Sequence, residues 1–221
     1  MPAVSAIVAA GGFGVRSASS QPKQFRLLGD RTVLSWSVDV LARAGCEPIF
    51  IAAPPAHVDE VETAFGGRAS VIPGGGTRQA SVANCLAHVT TDVVLIHDGA
   101  RPFITEELVA AAIEGMGDLD GVVVAMPMDE TIKSVEEGIV RSTVDRSGLW
   151  RVQTPQVFRT EVLRRAHAAA EREGVTDAVD DAALIERTGG SVGVVEGART
   201  NLKITLPEDF AMAEALRGHF E

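Results

Sequence analysis

Residues 92–127 read DVVLIHDGARPFITEELVAAAIEGMGDLDGVVVAMP. The β-branched and aliphatic run Asp92–His97 predicts a strand, Glu106–Met116 a helix, and Gly121–Pro127 a second strand. Strand, helix and strand in that order make a βαβ unit, whose strands lie parallel. The same alternation continues upstream. Val4–Ala9 predicts a strand, Val33–Ala44 a helix after Asp30-Arg31-Thr32, and Pro48–Ala53 a strand. Val58–Phe65 predicts a short helix, Ser70–Ile72 a short strand and Gln79–Val89 a helix. Downstream come helices near Glu161–Arg172 and Asp181–Thr188, a strand at Ser191–Val195 and a last helix from Pro207. The expectation is an α/β fold: a mostly parallel sheet with helices on both faces.

The segment from Asp129 to Trp150 breaks this rhythm. Thr131-Ile132-Lys133, a Glu-Glu-Gly turn, Ile139–Val144 and a Ser-Gly turn predict an inserted β-hairpin or arm. So small an arm has too little core of its own and leans on something else, often another subunit. With no visible repeat and no Pro/Ser-rich linker, residues 1–221 are expected to form one domain carrying an arm at about 129–150.

Composition narrows the function classes. Twenty Lys and Arg stand against 30 Asp and Glu, a net charge of −10. That opposes general nucleic-acid binding and an anionic membrane surface. A small phosphate ligand stays open, because a local cluster of cations outweighs the average. The apolar runs are too short to span a bilayer. The first basic residue is Arg16, so there is no basic leader. Cys46 and Cys85 have neither CxxC spacing nor a His-rich neighbourhood, so they read as packed thiols in a reducing, cytoplasmic setting.

Ligands of open α/β sheets bind beyond the carboxyl ends of the strands, and three segments fall there. The first is Ala10-Gly11-Gly12-Phe13-Gly14-Val15-Arg16 with Pro22-Lys23-Gln24. Its glycines let backbone N–H groups approach a phosphate, and Arg16 and Lys23 add fixed positive charge. It is not a Walker loop, because GxxxxGK[ST] is missing. It is a broken GxGxxG, and no acid follows the second strand for a ribose diol, so a Rossmann dehydrogenase is disfavoured. The second segment, Gly74-Gly75-Gly76-Thr77-Arg78-Gln79-Ala80-Ser81, opens a helix; it reads as an anion or base-edge site, or as a loop with a Thr77 cap. The third is His97-Asp98-Gly99-Ala100-Arg101-Pro102. Asp98 at a strand end beside a phosphate site is a candidate for a divalent cation, directly or through water, and Arg101 for orienting it. His97 reads as a buried, hydrogen-bonded ring or a proton carrier. The neighbours Asp180 and Asp181 point apart on a helix and do not form an acid/base pair. No Ser-His-Asp, Cys-His or GxSxG set appears. Glycines and cations without a protein nucleophile suit phosphoryl or nucleotidyl transfer, in which the substrate brings its own.

Taken together, these segments resemble the 2-C-methyl-D-erythritol 4-phosphate cytidylyltransferase family, from Ile7 to Phe210. Further motifs carry the resemblance: Asp129-x-Thr131-Ile132-Lys133, Val144-Asp145-Arg146-x-Gly148-Leu149-Trp150, Thr154-Pro155-Gln156, Asp180-Asp181-Ala182 and Asn201-x-Lys203-Ile204-Thr205-x-Pro207-Glu208-Asp209. The resemblance implies a Rossmann-like three-layer nucleotidyltransferase fold. It also implies transfer of CMP from CTP to the sugar-alcohol phosphate, with release of pyrophosphate and with Mg²⁺ or another divalent cation. Arg16 and Lys23 would stabilise charge on the α-phosphate. Ala10, Gly11, Gly12, Phe13, Gly14, Gly75, Arg78 and Ser81 would hold the cytidine, with Asp98 and Gly99 near the ribose. Asp98 would also face the metal, held mainly by phosphate oxygens, and with Arg101 the acceptor. Thr131 and Arg146 on the arm, reaching a partner subunit in a homodimer, and Lys203 would bind the acceptor phosphate.

Four positions depart from the family's habit: Gly11 and Gly99 replace Ala, Val15 a frequent basic residue, and Val179 a frequent Thr. The chain ends soon after its last helix, so the cyclodiphosphate synthase domain fused in some relatives is not expected. Two rival readings remain: a ribitol 5-phosphate cytidylyltransferase, and a non-catalytic nucleotide-binding protein on the same fold. Thr131-Ile132-Lys133 and the Val144–Trp150 motif favour the methylerythritol enzyme.

Overall fold

The computed structural model describes residues 2–11 and 22–220. The strands are β1 (Val4–Ala9), β2 (Leu27–Leu28), β3 (Arg31–Thr32), β4 (Ile49–Ala53), β5 (Ser70–Pro73), β6 (Val93–Asp98) and β7 (Gly121–Pro127). They continue with β8 (Ile132–Glu136), β9 (Ile139–Val144), β10 (Trp150–Arg159) and β11 (Val192–Glu196). The helices are α1 (Val33–Arg43), α2 (Val58–Phe65), α3 (Arg78–Leu86), α4 (Glu106–Gly115), α5 (Thr160–Arg172), α6 (Asp181–Arg187) and α7 (Pro207–Leu216).

Seven strands form the main sheet in the order β11-β7-β10-β6-β1-β4-β5. Every neighbouring pair is parallel except those of β10, which runs antiparallel to both β6 and β7. Alternate side chains of a strand leave opposite faces, and the core divides accordingly. Ala6 and Val8 of β1, Ile49 and Ile51 of β4, and Val93 and Leu95 of β6 join a core with Leu34, Leu41, Phe65 and Val109 of α1, α2 and α4. Ile7, Phe50, Val94 and Ile96 join the opposite core, with Val82, Leu163, Leu184 and Ile185 of α3, α5 and α6. The expected layers of helix, sheet and helix are present.

The long strand β10 is absent from the sequence expectation. Pro155 lies inside it, and proline lacks the N–H that a central ladder needs. The structure absorbs Pro155 at an irregularity: the register with β7 shifts between Val152 and Gln156. The arm is present as the separate antiparallel pair β8 and β9. Its apolar side chains have little to pack on within this chain; Val135, Ile139 and Val140 are each more than half exposed, at 56%, 57% and 57%. No helix among the described residues is long and apolar enough to cross a membrane.

Candidate active site

The chain leaves β1 toward β4 on one side, and β6 returns on the other. This reversal leaves a crevice beyond the carboxyl ends of β1 and β6. Ala9 and Asp98 lie opposite each other in the register there. The Gly99 amide donates to the Ala9 carbonyl at 3.0 Å, and the Ala10 amide to the Ala52 carbonyl at 3.0 Å. The resulting cleft, about 500 Å³, is lined by Ala10, Gly11, Lys23, Gly75, Arg78, Ser81, Asp98 and Lys203 among others. A larger hollow of about 630 Å³ lies at the opposite ends of β4 and β5. Charge, not volume, distinguishes the cleft.

Each wall has a local cause. Thr77 caps α3 by accepting from the Ala80 amide at 3.1 Å. Ser81 accepts from the Gly75 amide at 3.0 Å and donates to the Thr77 carbonyl at 2.8 Å, which folds the glycine segment back over the first turn of α3. Gly75 allows this closeness: a Cβ there would sit 2.4 Å from Ala80 Cβ. Gln24 donates its amide to the Ala10 carbonyl and so holds the Lys23 turn against the end of β1. On the other side, Arg101 donates to the Asn201 carbonyl at 2.7 Å, and the Ile204 amide donates to the Ala100 carbonyl at 2.8 Å. Asn201 donates to the Thr154 carbonyl at 2.8 Å. These bonds bring Lys203 over the end of β6.

Asp98 is the centre of the charge cluster. Its Oδ1 takes Arg78 Nε at 3.2 Å and its Oδ2 takes Lys203 Nζ at 2.7 Å. Burial alone would raise its pKa, but Arg78, Lys203 and Arg101 hold the carboxyl well below the usual carboxylate range. Arg78 also pairs with Asp181 at 2.6 Å. Burial disfavours its charge, yet Asp181 and Asp98 more than compensate, and its pKa is raised. Lys23 behaves oppositely: burial and repulsion from Lys203 lower its pKa, against the pull of Asp98 and Asp209. A cleft in which two lysines repel each other is relieved by an anion.

His97 is the buried ring, not a proton carrier facing the cleft. Its Nε2–H donates to the Arg101 carbonyl at 3.1 Å, and its Nδ1 accepts from the Thr154 hydroxyl at 3.0 Å. The Asp98 amide in turn donates to Thr154 Oγ1 at 3.1 Å. Burial pushes the His97 pKa down to about 4.

The structure therefore brings together Ala10, Gly11, Lys23, Gly75, Arg78, Ser81, Asp98 and Lys203. Gly99 lies beneath the floor, where a Cβ would meet Leu34 Cδ1 at 3.0 Å. Arg101 is buried behind Asp98, tied to Asn201. Thr131 and Arg146 are exposed on or beside the arm and do not line this chain's cleft; Arg146 bonds the Asp129 carbonyl. Gly12, Phe13, Gly14 and Arg16 lie outside the described residues. Sequence reading assigns no role to Thr154, Asn201 and Asp181, although each falls within a quoted motif.

No group of three or more His, Cys, Asp or Glu side chains able to hold a metal occurs among the described residues. Asp98 is the one carboxylate lining the cleft among them. Its two oxygens already face Arg78 and Lys203, which disfavours direct ligation of a metal and leaves contact through water as the mode open to it.

The chain is similar to known proteins over nearly its whole length. The family model of 2-C-methyl-D-erythritol 4-phosphate cytidylyltransferase matches residues 4–218. A protein of that name from Geobacter metallireducens is 40% identical over 225 residues, spanning 96% of this chain and 97% of its own length. Another, from Geotalea uraniireducens, is 41% identical over 223 residues, spanning 96% and 95%. The crystal structure of 2-C-methyl-D-erythritol 4-phosphate cytidylyltransferase from Thermus thermophilus is similar at a TM-score of 0.85 and 38% identity, covering 99% of this chain and 100% of that one.

Proposed function

The chain belongs to the 2-C-methyl-D-erythritol 4-phosphate cytidylyltransferase family, and we infer that its cleft carries out that family's reaction. CMP passes from CTP to 2-C-methyl-D-erythritol 4-phosphate, giving 4-diphosphocytidyl-2-C-methyl-D-erythritol and pyrophosphate, a step of non-mevalonate isoprenoid precursor biosynthesis. The observation that carries this reading is the gathering of Lys23, Arg78 and Lys203 around Asp98 in one cleft of a chain with net charge −10.

An oxygen of the acceptor phosphate attacks the α-phosphorus of CTP. The bond from that phosphorus to the oxygen bridging to the β-phosphate breaks, and pyrophosphate leaves with the electron pair. The attacking phosphate is a dianion near neutral pH, so the protein needs no strong base. Its task is to bring two polyanions together and stabilise the charge of the transition state. Lys23 does this at the α-phosphate, with Arg16 assigned the same role by the family resemblance. The loop from Ala10 through Gly14, with Gly75, Arg78 and Ser81, holds the cytidine, and Lys203 holds the acceptor phosphate. Asp98 would hold Mg²⁺ or another divalent cation through water, and that cation would supply neutralisation of phosphate charge.

The arm supplies the remaining groups from a second copy. Thr131 and Arg146 reach the partner's cleft in a homodimer, a reading supported by the exposed apolar Val135, Ile139, Val140 and Trp150. A cytoplasmic location is supported by the two free, buried thiols Cys46 and Cys85.

Pyrophosphate release from CTP and Mg²⁺ tests the function, with methylerythritol 4-phosphate, ribitol 5-phosphate or no acceptor. Release with the first acceptor alone is expected. Release only with ribitol 5-phosphate would reassign the acceptor, and CTP binding without release would leave a nucleotide-binding protein.

A further inference from the structure

The pair Asp180-Asp181 has no part in the chemistry described so far, yet both carboxylates are fully engaged. Asp180 caps α6, accepting from the Ala183 amide at 2.9 Å, and takes Gln156 Nε2 at 2.9 Å. Asp181 is 1% exposed and does not line the cleft. Its Oδ2 takes Arg78 Nη1 at 2.6 Å, and its Oδ1 takes His167 Nε2 at 3.1 Å. A row of side chains thus runs from His167 on α5 through Asp181, Arg78 and Asp98 to Lys203.

Resting on the cytidylyltransferase reading, we infer that Asp181 is a positioning residue for CTP binding, acting through Arg78. A guanidinium held by carboxylates at Nη1 and at Nε has its plane fixed. Arg78 then occupies only one oxygen of Asp98 and leaves the other to Lys203. Released from Asp181, Arg78 would be free to turn about its remaining Asp98 contact and leave the orientation in which it meets CTP. The backbone supports the same coupling. Gln79 donates to the Val175 carbonyl at 2.8 Å and accepts from the Ala178 amide at 2.9 Å. Thr77 donates to the Thr176 carbonyl at 2.9 Å. The segment entering α6 is therefore latched to the glycine segment that begins α3.

Asp181→Asn keeps the shape and removes the charge. KM for CTP should rise about tenfold, the usual effect of weakening a charged hydrogen bond, while KM for the acceptor stays within about twofold. Asp181→Glu, which restores the carboxylate, should recover most of the CTP affinity. In an Arg78→Met background the Asp181→Asn change should add nothing to KM for CTP. A lower melting temperature with unchanged KM would make Asp181 merely structural and overturn the inference, as would full additivity with Arg78→Met. Should Asp181→Asn fail to fold, His167→Phe removes only the Oδ1 partner; KM for CTP should then rise about threefold, and no rise overturns the inference. Absence of CTP turnover in the unmodified protein would instead defeat the functional reading.

Discussion

His97 lies inside the cluster that positions Asp98, and it is held neutral. Its Nε2–H donates to the Arg101 carbonyl and its Nδ1 accepts from the Thr154 hydroxyl, and burial disfavours a second, charging proton. The folded chain therefore resists protonation from pH 6.5 down to about 4. The unfolded chain takes up that proton first, so stability falls as pH drops through this window, by about 3 kcal/mol in total for this ring. Melts at pH 7, 6, 5 and 4 should show the loss in the unmodified protein and a smaller one in His97→Gln. Equal losses would remove His97 as the cause. Asp98 and Asp181, both held below the carboxylate range, add to acid instability only lower, as pH falls through that range. At this scale the sequence is readable where position alone signals chemistry: Asp98 ends an apolar strand and Thr77 precedes a helix. It is silent on Thr154, Asn201 and Asp181, because their partners lie 56, 47 and 103 residues away and only the fold brings them together.

Elements are legible in proportion to their hydrophobic periodicity. Strands β1, β4, β6 and β7 and helices α1 to α4 lie within a few residues of their expected positions, since the strands bury continuous apolar runs and the helices bury spaced residues of one face. The strand β10 is not legible, because polar Gln153, Thr154 and Gln156 surround Pro155 in its middle. Those polar groups are what the site requires: Thr154 binds the Asp98 amide and Gln156 the cap of α6. The arm is legible as an interruption, and its use in trans is open to test. Lys23→Ala and Arg146→Ala variants should each lose on the order of 10²–10³ in turnover. Mixed dimers carry one cleft with both residues intact and should recover up to about one quarter of normal activity after random exchange. Mixed dimers that form and stay inactive would place Arg146 outside the partner's site.

The whole molecule sets cations of an acidic chain at the reversal point of its sheet. The alternation of strands and helices makes a mostly parallel sheet legible, but not the order of its strands, because pairing between distant segments leaves no local trace. That order makes the crevice. Among the described residues His97 faces away from the cleft, Ser81 Oγ bridges Gly75 and Thr77, Asp98 is paired at both oxygens, and Lys23 is assigned to stabilising charge on the α-phosphate. On this assignment the acceptor phosphate displaces pyrophosphate directly. The stereochemical course at the α-phosphorus decides this, using a single diastereomer of the α-thio analogue of CTP. One in-line displacement predicts inversion of configuration; retention would mean two displacements through a covalent nucleotidyl-enzyme and would rule direct displacement out.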